Sequence, residues 1–214
     1  MPRWIWFLLA IGLAALLWAS RQGPGHLPAQ ALPGSPPITC VLPPSPLSGE
    51  EPLQTGVPAT MRDFRLGDFV VSPLAGFSLE ARVLSRRDYG SGPESALSPT
   101  DLALGWRRMS DRTHYQRLDI SQSGRWYHYR WGADGPPLPL PEIIRSSANM
   151  HPVPADARVA QALSRVRPDQ TVRLQGWLIE ARRDDGWRWR SSLTRDDSGD
   201  GACELIYVCA LTAF

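Results

Sequence analysis

Hydrophobic and polar positions divide the chain into three zones. An unbroken apolar run extends from Trp4 to Ala19, a proline-dominated stretch with few charges fills residues 21–60, and apolar positions then recur at short periods to Phe214. In the third zone, residues 69–71 and 77–84 read as strands, with Phe77, Leu79, Ala81 and Val83 alternating against polar neighbours. Residues 97–106 read as a loop and a short helical turn, with Ser98-Pro99-Thr100-Asp101 as its cap. Residues 125–131, aromatic at nearly every position, return to strand and end at Gly135-Pro136-Pro137. Over residues 155–166, Val159, Ala162, Leu163 and Val166 follow helical spacing, with Pro154 at the start and Pro168 at the end. A strand over 171–181, a turn at Asp184-Asp185-Gly186, a returning strand over 187–193 and a last strand over 202–211 complete the pattern. The order predicts a β-rich α+β domain: a partly open OB-like barrel, or a small antiparallel sheet with one main helix.

The first zone lies between the lengths of a secretory h-region and a membrane span. Cleavage after Ala19 or Ser20 would put Leu17 or Trp18 where a small residue is preferred, whereas Trp4, Trp6 and Trp18 suit the two interfaces of a span. Residues 1–20 are therefore expected to be an uncleaved signal anchor, with secretion after cleavage as the alternative. Arg3 and Arg21 flank the run almost symmetrically, so orientation rests on its likeness to a signal sequence. The expected address is the inner membrane, with the domain in the periplasm. The prolines of residues 21–60 remove donors and fix φ, which predicts an extended, semi-rigid spacer before a domain at 61–214.

Composition removes several chemistries. All 23 basic side chains are arginine, so Walker-A phosphate binding, Schiff-base catalysis and Ser-Lys dyads are excluded for want of a lysine amine. A net charge of +2 argues against a nucleic-acid partner. Of the three cysteines, Cys203 and Cys209 sit in one expected strand, about 20 Å apart at roughly 3.3 Å per residue. They cannot bond to each other in that strand; buried free thiols are the simpler reading for both, and a bond from Cys40 to either of them is the alternative.

Three groupings carry candidate chemistry. Asp196, Ser198 and Asp200, with Gly201 at the sixth position, resemble the start of a calcium loop. Tyr207 occupies the place of the bidentate glutamate, however, and a solvated acidic turn is the simpler reading. No other cofactor is implied. His151 with Asn149 and Ser192, or with Ser191, could assemble a base, an amide and a hydroxyl. The simpler role for Asn149 and His151 is to satisfy loop backbone before the helix. Arg188, Arg190 and Arg195 interleave with Trp187 and Trp189, and alternation places the tryptophans on one face and Arg188 with Arg190 on the other. The arginines offer an anion site unless Asp184, Asp185, Asp196 and Asp197 neutralise them.

The segments 98–106, 119–123, 147–151, 191–195 and 201–204 together resemble a family of functionally uncharacterised bacterial proteins, exported or membrane-anchored. The resemblance covers roughly residues 69–209 and implies a coherent domain without an activity, cofactor or site. The functional expectation is a membrane-tethered extracytoplasmic domain that binds an envelope protein or ligand. A hydrolase-like enzyme using His151 with Ser191 or Ser192 and a calcium-stabilised structural module are the alternatives.

Overall fold

The computed structural model describes residues 26–35, 38–194 and 203–214. The signal-anchor segment 1–20, the opening of the linker, and Arg195, Asp196, Ser198 and Asp200 lie outside these residues. Among the described residues no helix is long and apolar enough to cross a membrane.

Strands run in chain order as β1 (Ala29–Ala31), β2 (Leu53–Thr55), β3 (Phe64–Leu66), β4 (Phe69–Asp88), β5 (Thr100–Gly105), β6 (Leu118–Ser123), β7 (Trp126–Trp131), β8 (Ser147–Pro154), β9 (Thr171–Arg182), β10 (Arg188–Arg190) and β11 (Glu204–Ala213). The fold is β-rich, with a mixed sheet and one main helix, Ala157–Arg165. β4 pairs with β5 along its second half, β5 with β8, β8 with β11, β11 with β9, and β9 back with β4. These five strands close a ring in which β8 and β11 alone are parallel. Irregularities near Leu84 and Leu74 let the 20-residue β4 bend enough to serve both neighbours.

The alternation read in the sequence points into this ring. Phe77, Leu79, Ala81 and Val83 of β4 meet Leu102, Leu104, Met150, Leu174, Leu178, Ile206 and Val208, all buried. Val159 and Leu163 of the helix join the same cluster. The Asp156 carboxylate caps that helix by accepting from the Val159 N–H at 2.8 Å. Pro154, expected at the helix start, instead ends β8.

On the outer face, Phe64, Phe69, Val71, Trp177, Ile179 and Tyr207 form a second apolar layer. The proline-rich segment lies across it. Trp177 Nε1 donates to the Val41 carbonyl at 2.9 Å, Gln175 to Pro43 at 2.7 Å and Ser78 to Pro44 at 2.6 Å. Cys40 is disulfide-bonded to Cys209, which fixes the choice left open in the sequence. From residue 38 onward the segment is thus extended as proline dictates, yet it is strapped to the sheet and does not stand off as a spacer. The proline-rich zone also contributes the short ladders β1, before residue 38, and β2, after it, both in proline-free triplets that can donate.

Two further expectations are corrected. Thr100–Gly105, expected as loop and turn, is the central strand β5, buried at every position. A strand covered on both faces loses the alternation that would have marked it. Asn149 and His151 belong to β8 rather than to a loop.

Candidate functional site

Three adjacent strands bring one set of polar side chains to the outer face of the ring. The pairing of Leu102 with Met150 sets Asp101 beside His151, and Leu205 lies opposite His151 on the other flank. Cys203, two residues before Leu205, then falls on the same face, diagonal to His151. Asp101 is fully buried and His151 is 1% exposed.

Burying a carboxylate requires partners, and Asp101 has several among the described residues. Its Oδ1 accepts from His151 Nδ1 at 2.8 Å and from Arg125 at 2.6 Å, and its Oδ2 accepts from Asn149 Nδ2 at 3.2 Å. A carboxylate ion-paired with Arg125 has no proton to give, so His151 Nδ1 carries the hydrogen of that bond. Asn149 is held in turn by Gln122, which donates to its Oδ1 at 2.6 Å.

Arg125 comes from outside the ring. β6 and β7 form a separate hairpin, joined by Gly124 and Arg125, both with positive φ (57° and 69°). A two-residue turn of that twist is natural for glycine and costs an arginine roughly 1–2 kcal/mol. The turn aims the guanidinium inward, over the Tyr89 ring at 3.8 Å and against the Ser95 hydroxyl at 3.1 Å. The Tyr89 hydroxyl accepts from the Arg125 N–H at 3.2 Å. Burial, followed by the negative charge of Asp101, raises the Tyr89 pKa above its ordinary value and keeps that hydroxyl neutral.

Arg125 and His151 line a pocket of about 290 Å³ whose walls include Trp126, Trp187, Trp189, Glu94 and Cys203. The Trp189 ring lies 4.7 Å from the His151 ring, centroid to centroid. Trp187 is oriented by its Nε1, which donates to Glu94 at 3.1 Å. The hairpin of β9 and β10 thus turns its tryptophans toward His151, the aromatic face anticipated from alternation.

The other candidates divide. Arg188 and Arg190 each place a guanidinium 2.6 Å from Glu180 Oε2, and Arg182 approaches Oε1 at 3.6 Å. Glu180, which the sequence did not single out, thus meets all three arginines, while Asp185 pairs with Arg183 at 3.1 Å and Asp196 and Asp197 lie outside the described residues. Ser191 Oγ donates to the Ser192 carbonyl and accepts from the Leu205 N–H. Ser192 Oγ donates to the Thr194 carbonyl and accepts from the Thr194 N–H. Both hydroxyls are engaged with backbone at the strand ends, and Cys203 is the sulfur or hydroxyl nucleophile type that shares the pocket wall with His151. Among the described residues no group of three or more His, Cys, Asp or Glu is arranged to hold a metal ion.

Asp101 and Arg125 were missed as site residues. The available signals were one acid inside the apolar run 97–106 and a Gly-Arg pair at a hairpin tip. No protein-family model matches the chain, and no curated protein or solved structure is similar to it.

Proposed function

We propose that this chain is an extracytoplasmic binding domain, tethered to the inner membrane by residues 1–20, that takes a small anionic, ring-bearing ligand in the pocket over Asp101 and His151. The acidic sugar of an envelope glycan is the ligand class that suits it. Sugar C–H faces stack on tryptophan, and Arg125, Arg188 and Arg190 on the pocket wall are the guanidinium groups that a ligand carboxylate would engage. Two supports bear on compartment: the apolar N-terminal run, and the Cys40–Cys209 disulfide, a bond that persists in oxidising surroundings.

The observation that carries the reading is the position of the pocket in the ring. With β4, β5, β8, β9 and β11 numbered one to five, the order one-two-three-five-four, the parallel third and fifth strands and the helix between the third and fourth make an OB-like barrel. Such barrels bind ligands on the face of their second and third strands, between the loops joining the first to the second and the fourth to the fifth. Asp101 and His151 lie on that face, Tyr89 and Glu94 come from the first loop, and Trp187, Trp189 and Cys203 come from the second. Fold analogy links a barrel of this order to ligand binding.

The test is tryptophan fluorescence of the full chain, titrated with oligogalacturonate and with its neutral methyl ester. Quenching by the acid form alone, weakened by Trp189→Ala, is the expected result. Indifference to both would remove the glycan reading. Equal response to both would remove the anionic specificity.

A further inference from the structure

We propose that Cys203 is a nucleophile, with His151 as its general base and Asp101 as the carboxylate that orients the base, and that the pocket carries out acyl transfer on a small ester or amide. The inference goes beyond ligand binding and uses the same pocket. Its starting point is the buried Asp101–His151 pair, a costly arrangement for a fold to keep. A histidine whose Nδ1–H is directed to a buried carboxylate is held with Nε2 on its other side, as the orienting carboxylate of a catalytic triad holds its base. The ring also lines the pocket, and Trp189 against its face limits reorientation.

A nucleophile type lines the same pocket. Cys203 is half-buried, is outside the disulfide and lines the same pocket, on the face shared with His151. Its Sγ lies 3.9 Å from the Arg125 carbonyl, the oxygen that also accepts from Asn149 Nδ2 at 2.8 Å. The thiol and the Asp101 network are therefore coupled through one residue. The strained φ of Arg125 is of the kind found where geometry serves a site.

The step balances without an outside oxidant or reductant. The Cys203 S–H proton passes to His151 Nε2, and the thiolate attacks the acyl carbon. A C–S bond forms as the C–O or C–N bond breaks, and the leaving alcohol or amine takes the proton from His151. Water or an acceptor amine, deprotonated by His151, then cleaves the thioester and returns the thiol. The pocket of about 290 Å³ suits an acyl group of amino-acid or monosaccharide size.

The experiment uses the full chain in mild detergent, with the disulfide intact. Iodoacetamide alkylation of Cys203 is followed by peptide mass spectrometry from about pH 5 to about pH 9, where an ordinary thiol titrates near 8.5. The expected profile rises well below that value, and His151→Gln restores the ordinary profile, with about a tenfold slower rate near pH 6. p-Nitrophenyl acetate should release a burst of about one equivalent of nitrophenolate and leave an acetyl group on Cys203. Cys203→Ser, whose fold is checked by near-UV circular dichroism, should abolish the burst. An ordinary thiol profile in the unaltered chain, or a burst that survives Cys203→Ser, overturns the proposal. Fluorescence titration of Cys203→Ser with oligogalacturonate reads ligand binding separately, so failure of the chemistry and failure of the binding reading are distinguishable.

Discussion

Arg125, at the tip of a hairpin outside the main sheet, places its guanidinium 2.6 Å from the carboxylate of Asp101, at the start of β5 and fully buried. The contact spans 24 residues and is made by a backbone in the left-handed region. Turn strain and ion-pair energy therefore oppose each other at one residue.

Arg125→Gly separates the two effects. Glycine relieves roughly 1–2 kcal/mol of backbone strain, while Asp101 loses its permanent cation, a change that costs about 3–5 kcal/mol at buried pairs. Because His151 and Asn149 still bond to the carboxylate, a net loss of about 2 kcal/mol is expected in urea denaturation. The double change with Asp101→Asn should lose less than the sum of the single changes. Additive losses would show that the two side chains are not energetically coupled.

The disulfide makes the proline-rich strap part of the fold. Cys40 and Cys209 are 169 residues apart, and closing so long a loop is expected to contribute about 2–5 kcal/mol, mostly through the unfolded chain. Cys40→Ser with Cys209→Ser should lower the melting temperature by that equivalent. Proteolysis should then cut first within residues 38–50, where the strap is otherwise held by side-chain bonds from Trp177, Gln175 and Ser78. A melting temperature unchanged by the double substitution would show that those bonds alone hold the strap.

What could be read from sequence followed from periodicity. β4 announced its inner face through Phe77, Leu79, Ala81 and Val83, and the main helix announced itself through Val159 and Leu163. β5 did not, because its Thr-Asp-Leu-Ala-Leu-Gly run is buried on both sides and has no polar face to alternate with. β8 was hidden by Pro152 and Pro154, which argue against a central strand in any local reading. Losing both strands meant losing the register that joins Asp101 to His151, so the histidine was visible and its partner was not. Chain separation accounts for the rest: Cys203 comes to the pocket that His151 lines through the parallel pairing of β8 and β11.

Ring closure depends on one close backbone approach. A Cβ on Gly176 would be driven against the carbonyl oxygen and carbon of Tyr207, where β9 meets β11 at its irregularity. The obstructing atoms are main chain and cannot rotate away. Gly176→Ala is expected to cost about 3 kcal/mol or more, read as a shift in the urea midpoint, although alanine normally favours a folded backbone over glycine. A neutral or stabilising result would show that β11 can shift at that point without opening the ring.

Acid should loosen the β9–β10 hairpin through Glu180. Burial pushes its pKa up, but hydrogen bonds from Arg190 and Arg188, and then their charges, outweigh burial and leave it below the ordinary 4.5. A group with a depressed folded pKa stabilises the fold fully above its unfolded pKa, and that contribution is lost as pH falls through the folded value. The unaltered chain should therefore lose stability more steeply below about pH 4.5 than Glu180→Gln, whose amide does not titrate. Arg188 and Arg190 are half exposed, so added salt should shrink the difference between the two curves. Parallel urea-stability curves from about pH 6 to about pH 3 would mean that Glu180 makes no net titratable contribution. Because β10 carries Trp189 to the ring of His151, the same acid range should also alter tryptophan fluorescence in the unaltered chain before global unfolding. In Glu180→Gln that early change should be absent.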